Sequence, residues 1–237
     1  MKKLLSLAFC AASALAFADE IECGEVGVIQ VTSSQQNTVI AAAFGDLASD
    51  GDIKVANIVK TTGLASDDQL FVFKNGSFSG WTYNGKTKSW DPVEAIISQD
   101  ANGNIKSAAG TAADAELVAY GSGVWLKRAN KPSADFTIAV YGKPVSKTIS
   151  VAAGTTVLCG NPTYTEKKPT ITGAQTGDII KVPSDALLLK TYRYNGTAWK
   201  YANGASIETG LPEIPAGTGF WYQAADSGSA RTLTWSN

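Results

Sequence analysis

Aromatic side chains are the groups in this sequence best suited to meet a ligand. The chain of 237 residues holds six tryptophans and eight tyrosines. Trp81, Tyr83, Trp90, Trp125, Trp199 and Trp221 lie in β-prone stretches bounded by turn residues. A flat ring on a β face stacks on the C–H groups of a pyranose, so these six are the candidate sugar-stacking residues. The competing role for the same rings is to fill the core of a small β domain. Other chemistry has fewer carriers. There is no histidine, which removes Ser-His-Asp and Cys-His nucleophiles and every imidazole metal ligand. Three cysteines cannot supply a Cys₄ zinc site. Two facing carboxylates could hydrolyse a glycoside, yet no pair among the 21 acidic residues is singled out. Asp46, Asp50 and Asp52, like Asp100, Asn102 and Asn104, sit in turn-forming runs. Thr111 stands where a calcium loop starting at Asp100 would need its glutamate. No catalytic residue, metal site or cofactor is expected.

Charge and the N-terminus point to a compartment. Lys plus Arg is 20 and Asp plus Glu is 21, so no basic excess draws the chain to nucleic acid. Lys2 and Lys3 precede an apolar run, Leu4 to Leu15, and Ala16-Phe17-Ala18 forms an A-x-A cleavage site. Residues 1–18 therefore read as a signal peptide, with the mature chain starting at Asp19 and no transmembrane anchor left after cleavage. Export would leave Cys23 and Cys159 as the cysteines of the mature chain, a candidate disulfide or two buried thiols.

The residues that must be positioned recur in order. Thr62-Gly63 with Asp68 and Leu70-Phe71-Val72 matches Thr172-Gly173 with Asp178 and Ile180-Lys181-Val182. Tyr83-Asn84-Gly85, followed by Trp90, matches Tyr194-Asn195-Gly196, followed by Trp199. Gly121-Ser122-Gly123-Val124-Trp125 matches Gly217-Thr218-Gly219-Phe220-Trp221. Upstream, Thr38-Val39-Ile40 pairs with Thr156-Val157-Leu158. This order marks an internal duplication, with one β domain over residues 19–142 and a second over 143–237. The first copy carries a glycine-rich loop insertion over about residues 91–116.

Local signals within each copy are β. Asn-Gly pairs at 75, 84, 102, 195 and 203 favour hairpin turns. Gln69 to Phe73, Leu188 to Tyr194 and Phe136 to Tyr141 read as strands. Helix is confined to two short candidates, Ile53 to Val59 with Asp52 as N-cap, and Pro92 to Ser98. The expected fold is all-β: two tandem antiparallel β-sandwich or partly open barrel domains. The glycines of the Gly-x-Gly-x-Trp motif suit a turn or bulge before a strand. Asp68 and Asp178 suit a turn or cap.

Taken together, Thr-Gly-x₄-Asp, Tyr-Asn-Gly-x-Trp and Gly-x-Gly-aromatic-Trp resemble repeats in secreted, surface-associated bacterial β proteins. The resemblance implies export and a β fold and assigns no activity. The expected role is an exported, non-enzymatic structural or adhesive protein of the bacterial envelope or extracellular space. Its partners would be other envelope proteins, itself or glycans. The alternatives are a carbohydrate-binding module and, more remotely, a carboxylate-based hydrolase.

Overall fold

The computed structural model describes residues 27–46, 51–59, 63–93, 95–99, 105–108, 110–143, 148–183, 189–203 and 206–235. The first half holds β1 (Gly27–Ser33), β2 (Asn37–Ala41), β3 (Ile53–Lys54), the helix α1 (Val55–Ile58), β4 (Gln69–Lys74), β5 (Ser77–Asn84), β6 (Ser89–Pro92), β7 (Ala95–Gln99), β8 (Ile105–Ala108), β9 (Leu117–Val118), β10 (Gly123–Lys127) and β11 (Phe136–Gly142). The second holds β12 (Ile149–Val151), β13 (Thr156–Gly160), β14 (Thr170–Thr172), β15 (Ile179–Pro183), β16 (Leu189–Tyr194), β17 (Trp199–Asn203), β18 (Ser206–Thr209), β19 (Gly219–Gln223) and β20 (Arg231–Thr234). The protein is all-β, every sheet is antiparallel, and none closes into a barrel.

The two halves repeat one strand order. The larger sheets run β2-β10-β4-β5-β6 and β13-β19-β15-β16-β17-β18. Each is accompanied by a smaller sheet, β1-β11 in the first half and β12-β20-β14 in the second. β10 and β19 bury the same positions: Val124 and Leu126 in one, Phe220 and Tyr222 in the other, all fully enclosed. Register refines one sequence match. Trp125 faces Val39 and Val124 faces Ile40, while Trp221 faces Leu158 and Phe220 faces Cys159. Val39 is thus the counterpart of Leu158, and Ile40 of Cys159, one position away from the match read in sequence. A one-residue slip moves every side chain to the other face; Leu158 and Cys159 are both buried, so the ladder partners Val124 and Phe220 decide the pairing.

Turn chemistry follows the asparagines. Asn75 and Gly76 both take positive φ (53° and 79°) and join β4 to β5, as a type I′ turn requires. Asn84 and Asn195 close longer loops, each Oδ1 accepting two backbone N–H groups within three residues. The helix candidates are corrected. Pro92 ends β6 and β7 follows, because Ala95 to Gln99 pairs with β8 to make a hairpin. Ile53 and Lys54 pair with β9, which leaves only Val55 to Ile58 helical. The N-cap is Lys54 in place of Asp52, without a side-chain cap.

Each half has a core of its own. One gathers Ile29, Leu70, Val72, Trp81, Tyr83, Trp90, Val124 and Leu126; the other gathers Val151, Ile180, Tyr192, Trp199, Phe220, Tyr222 and Leu233. A buried aspartate locks the same turn beside each. Asp68 Oδ2 accepts from Ala65 N (2.8 Å) and Oδ1 from Ala129 N (2.9 Å). Asp178 Oδ2 accepts from Gln175 N (3.0 Å) and Oδ1 from Ala225 N (2.8 Å). Arg128 pairs with Asp68 at 3.2 Å. Arg231, fully buried, approaches both oxygens of Asp178, at 3.1 and 2.8 Å, and Tyr222 Oη donates to Oδ2 at 2.6 Å. Burial alone would push the Asp178 carboxyl up. The hydrogen bonds from Arg231, Tyr222 and the two amides outweigh it and hold the group below the usual carboxylate range.

Asp178→Asn would leave the Arg231 guanidinium buried without its counter-charge. The expected loss is about 3–5 kcal/mol in urea unfolding, and Asp68→Asn should lose less because Arg128 is only partly enclosed. A carboxyl lowered in the folded state stabilises above the unfolded value, about 3.9, and that contribution drains away as pH falls towards the folded value. Unfolding titrations between pH 5 and pH 2 should therefore show a steeper acid loss for the wild type than for Asp178→Asn.

Candidate functional site

The Gly-x-Gly-x-Trp motif of each half meets the other half. Ala41 N donates to Gly217 O at 2.7 Å, and Gly160 N donates to Gly121 O at 2.7 Å. Register makes Ala41 the counterpart of Gly160 and Gly121 the counterpart of Gly217. The two bonds are therefore one contact made twice, as across a two-fold axis. Isolated bridges repeat the symmetry, Ile40 with Thr218 and Cys159 with Ser122. Backbones come so close here that side chains are excluded. A Cβ on Gly160 would lie 2.3 Å from Ala41 Cβ, and one on Gly219 would lie 2.4 Å from Val39 Cγ1. Gly121 and Gly217 add positive φ (77° and 69°) at the turn into the strand.

Strand alternation then sets where each tryptophan goes. In β10 and β19 the neighbours of the tryptophan face their own core, so Trp125 and Trp221 turn outward and are half-buried. They join three phenylalanines from β4 and β5. Phe78 is the centre, with ring centroids 5.0 Å from Phe73, 5.8 Å from Trp125, 6.0 Å from Trp221 and 6.3 Å from Phe71. Phe73 also meets Trp221 edge-on at 5.0 Å. Trp221 is the only ring of the five from the second half, so the cluster bridges the repeats. Gly80 sits opposite Phe71, and a Cβ there would lie 2.9 Å from that ring. Phe78 keeps 40% of its surface exposed. Trp125 Nε1 donates to Asn37 Oδ1 at 3.2 Å. This patch can stack on an apolar or C–H-rich surface.

The six rings proposed as a sugar platform divide accordingly. Trp81, Tyr83, Trp90 and Trp199 are 0%, 2%, 6% and 8% exposed and belong to the two cores. Their stacking role is corrected: a ring enclosed by its own core has no free face for a sugar. Tyr83 packs on Trp90 at 5.2 Å, and Tyr194 on Trp199 at 5.4 Å. Trp81 Nε1 donates to Thr111 O and Trp90 Nε1 to Val59 O. Trp125 and Trp221 alone retain partial access. Phe71, Phe73 and Phe78 were not among the candidates. Their signal was present, since Leu70 and Val72 alternate inward and leave Phe71 and Phe73 outward on β4.

Cys159 is a fully buried free thiol, pushed up to about 12 by burial. Cys23, its candidate disulfide partner, lies outside the described residues, as do Asp50, Asp100, Asn102 and Asn104. Among the described residues no cluster of three or more His, Cys, Asp or Glu could hold a metal ion. No helix there is long and apolar enough to cross a membrane. No protein-family model matches the chain, and neither the curated proteins nor the solved structures contain a match.

Gly219→Ala places a methyl against Val39 across the joint and against the Cys159 carbonyl of the neighbouring strand in its own sheet. The expected cost is about 1–3 kcal/mol. Val39→Ala should recover part of it, because one of the two clashes disappears. Four unfolding curves, wild type, both single variants and the double variant, measure this coupling between the halves. Additive losses would show that the two positions do not touch.

Proposed function

We propose that this chain is an exported, non-enzymatic structural or adhesive protein of the bacterial envelope or extracellular space, its two β repeats joined into one stiff body. The carrying observation is the two-fold joint. The residues that recur between the copies serve the turns, the cores and the contact between halves, with the reciprocal bonds of Ala41 and Gly160 at its centre. Residues 1–18, read as a signal peptide, support the location. Partners would be envelope proteins, glycans or further copies of the chain.

The five-ring patch supports a second reading, carbohydrate binding. Phe78 is 40% exposed and ringed by Phe71, Phe73, Trp125 and Trp221. A sugar face laid on it would displace water from aromatic carbon.

Residues 19–237 should co-sediment with isolated bacterial envelopes and show no turnover of the envelope polysaccharide. Release of soluble sugar would overturn the non-enzymatic reading, and failure to sediment would overturn the envelope location. A glycan array with the wild type and Phe78→Ser separates the two readings: saturable binding lost in Phe78→Ser selects the carbohydrate module.

A further inference from the structure

The outer face of the larger sheet of repeat 2 carries a charge that the same face of repeat 1 lacks. Strand alternation puts Trp221, Lys181 and Arg193 on that face, because Tyr222, Ile180 and Tyr192 beside them turn to the core. Register lines up one row across five strands: Gln223, Ile179, Arg193, Lys200 and Thr209. Lys181 lies in the next row, directly opposite Trp221. Among the described residues, no position that the register places on this face is an aspartate or a glutamate.

Arg193 and Lys200 stand directly opposite each other on neighbouring strands. Like charges so placed repel and lower stability. Neither of them, nor Lys181, has a carboxylate partner among the described residues. Lys200 Nζ donates instead to Thr209 Oγ1 at 2.8 Å, which keeps the ammonium on the row. Arg193 is exposed. The fold does not require these cations, as repeat 1 demonstrates. Its ladder pairs Gln69 with Thr82 and Thr82 with Asp91, so Thr82 is the counterpart of Arg193 and Asp91 of Lys200. Phe71, opposite Trp125, is the counterpart of Lys181. The carboxylate of repeat 1 is already bonded, with Asp91 accepting from Asn84 Nδ2 at 3.1 Å and from Ser89 Oγ at 3.4 Å.

We propose that this face of repeat 2 binds an anionic polysaccharide whose charge is carried by uronate carboxylates. A guanidinium and an ammonium side by side give a carboxylate charge-assisted bonds from two strands, and the bound anion offsets their repulsion. From Gln223 to Thr209 the row spans about 19 Å at a strand spacing of about 4.8 Å. A single sugar does not cover that length, so an extended polymer is the better match. Gln223 offers both a donor and an acceptor to a hydroxyl, which favours a sugar chain over a lipid surface. The row is separate from the ring cluster around Phe78, and the proposal rests on the envelope reading only for where such a polymer is met. A failed titration leaves envelope retention standing, and failed retention leaves the sheet face standing.

The test is a titration of residues 19–237, labelled with ¹⁵N, with alginate oligosaccharides as the polyuronate. Saturable shifts should centre on the amides of Arg193, Lys200 and Gln223, and the affinity should fall steeply with added salt. Arg193→Gln combined with Lys200→Gln should weaken binding at least about tenfold by removing two charge-assisted contacts. Lys200→Arg, which keeps the charge, should retain it. Phe78→Ser and Asp91→Asn should leave it unchanged. Thermal melts should show the double glutamine variant no less stable than the wild type, because a repulsive pair has been removed. Neutral dextran of the same length should not bind. Absence of saturable shifts overturns the proposal. So do equal binding of dextran, shifts centred on Phe78 and Trp125, or tighter binding of polyphosphate or of phosphatidylserine vesicles.

Discussion

The constraint on which the rest of the structure depends is the backbone approach between the two repeats. Two N–H groups, of Ala41 and Gly160, find their acceptors in the opposite half at 2.7 Å. Buried backbone donors of this kind need partners, so the halves complete each other's hydrogen bonding. That contact forbids Cβ atoms at Gly160, the last residue of β13, and at Gly219, the first of β19. Once the glycines are fixed, pleating sends the residue after the second glycine inward and the tryptophan outward. The motif is therefore a joint first. Its tryptophans reach the surface only because they lie on the face shared with the other half.

The aspartate clamps show the same logic with a different cation in each copy. Asp68 and Asp178 accept equivalent amides, and each buried carboxylate needs a positive partner. Repeat 2 takes Arg231 from β20, two positions before the enclosed Leu233. Repeat 1 has Phe136 two positions before the enclosed Ile138 and takes Arg128 from beyond β10, where the guanidinium stacks 4.5 Å over that phenylalanine. The charge balance is kept while the donor position moves. That pattern is expected when the constraint is electrostatic, since a cation satisfies it from either direction. Repeat 2 adds Tyr222 as a third donor and buries its arginine completely.

Much of this was legible because it is local. Asn75-Gly76 states its turn type through the two positive φ values it allows, and β4 declares its two faces by alternation. Export, by contrast, rests on residues 1–18 as read in the sequence. Burial of Trp81, Tyr83, Trp90 and Trp199 was not legible: a large ring in a β stretch has the same local signature whether it faces a core or a ligand. Only the second layer decides, and that layer comes from residues distant in sequence, such as Thr111 for Trp81. The one-residue shift at β2 has the same origin. Val39 and Ile40 are alike in type, and the pairing with Trp125 and Val124 alone tells which faces inward. The pairing of Ala95 to Gln99 with β8 overrode a weak helical preference in the same way.

In a duplicated chain, the positions kept alike and those allowed to diverge carry different information. Gly121 and Gly217, Asp68 and Asp178, and the ring pairs Tyr83–Trp90 and Tyr194–Trp199 are kept because each copy needs them to fold or to meet its twin. The differences cannot have that cause. α1 packs on β3 and β11 in repeat 1, while the chain of repeat 2 from Lys167 runs into β14 without a helix. Among the described residues the β7–β8 hairpin has no counterpart in repeat 2. Phe78 has no matching ring in repeat 2, where Leu189 occupies the outward end of β16. Divergence at these positions leaves the joint and both aspartate clamps intact.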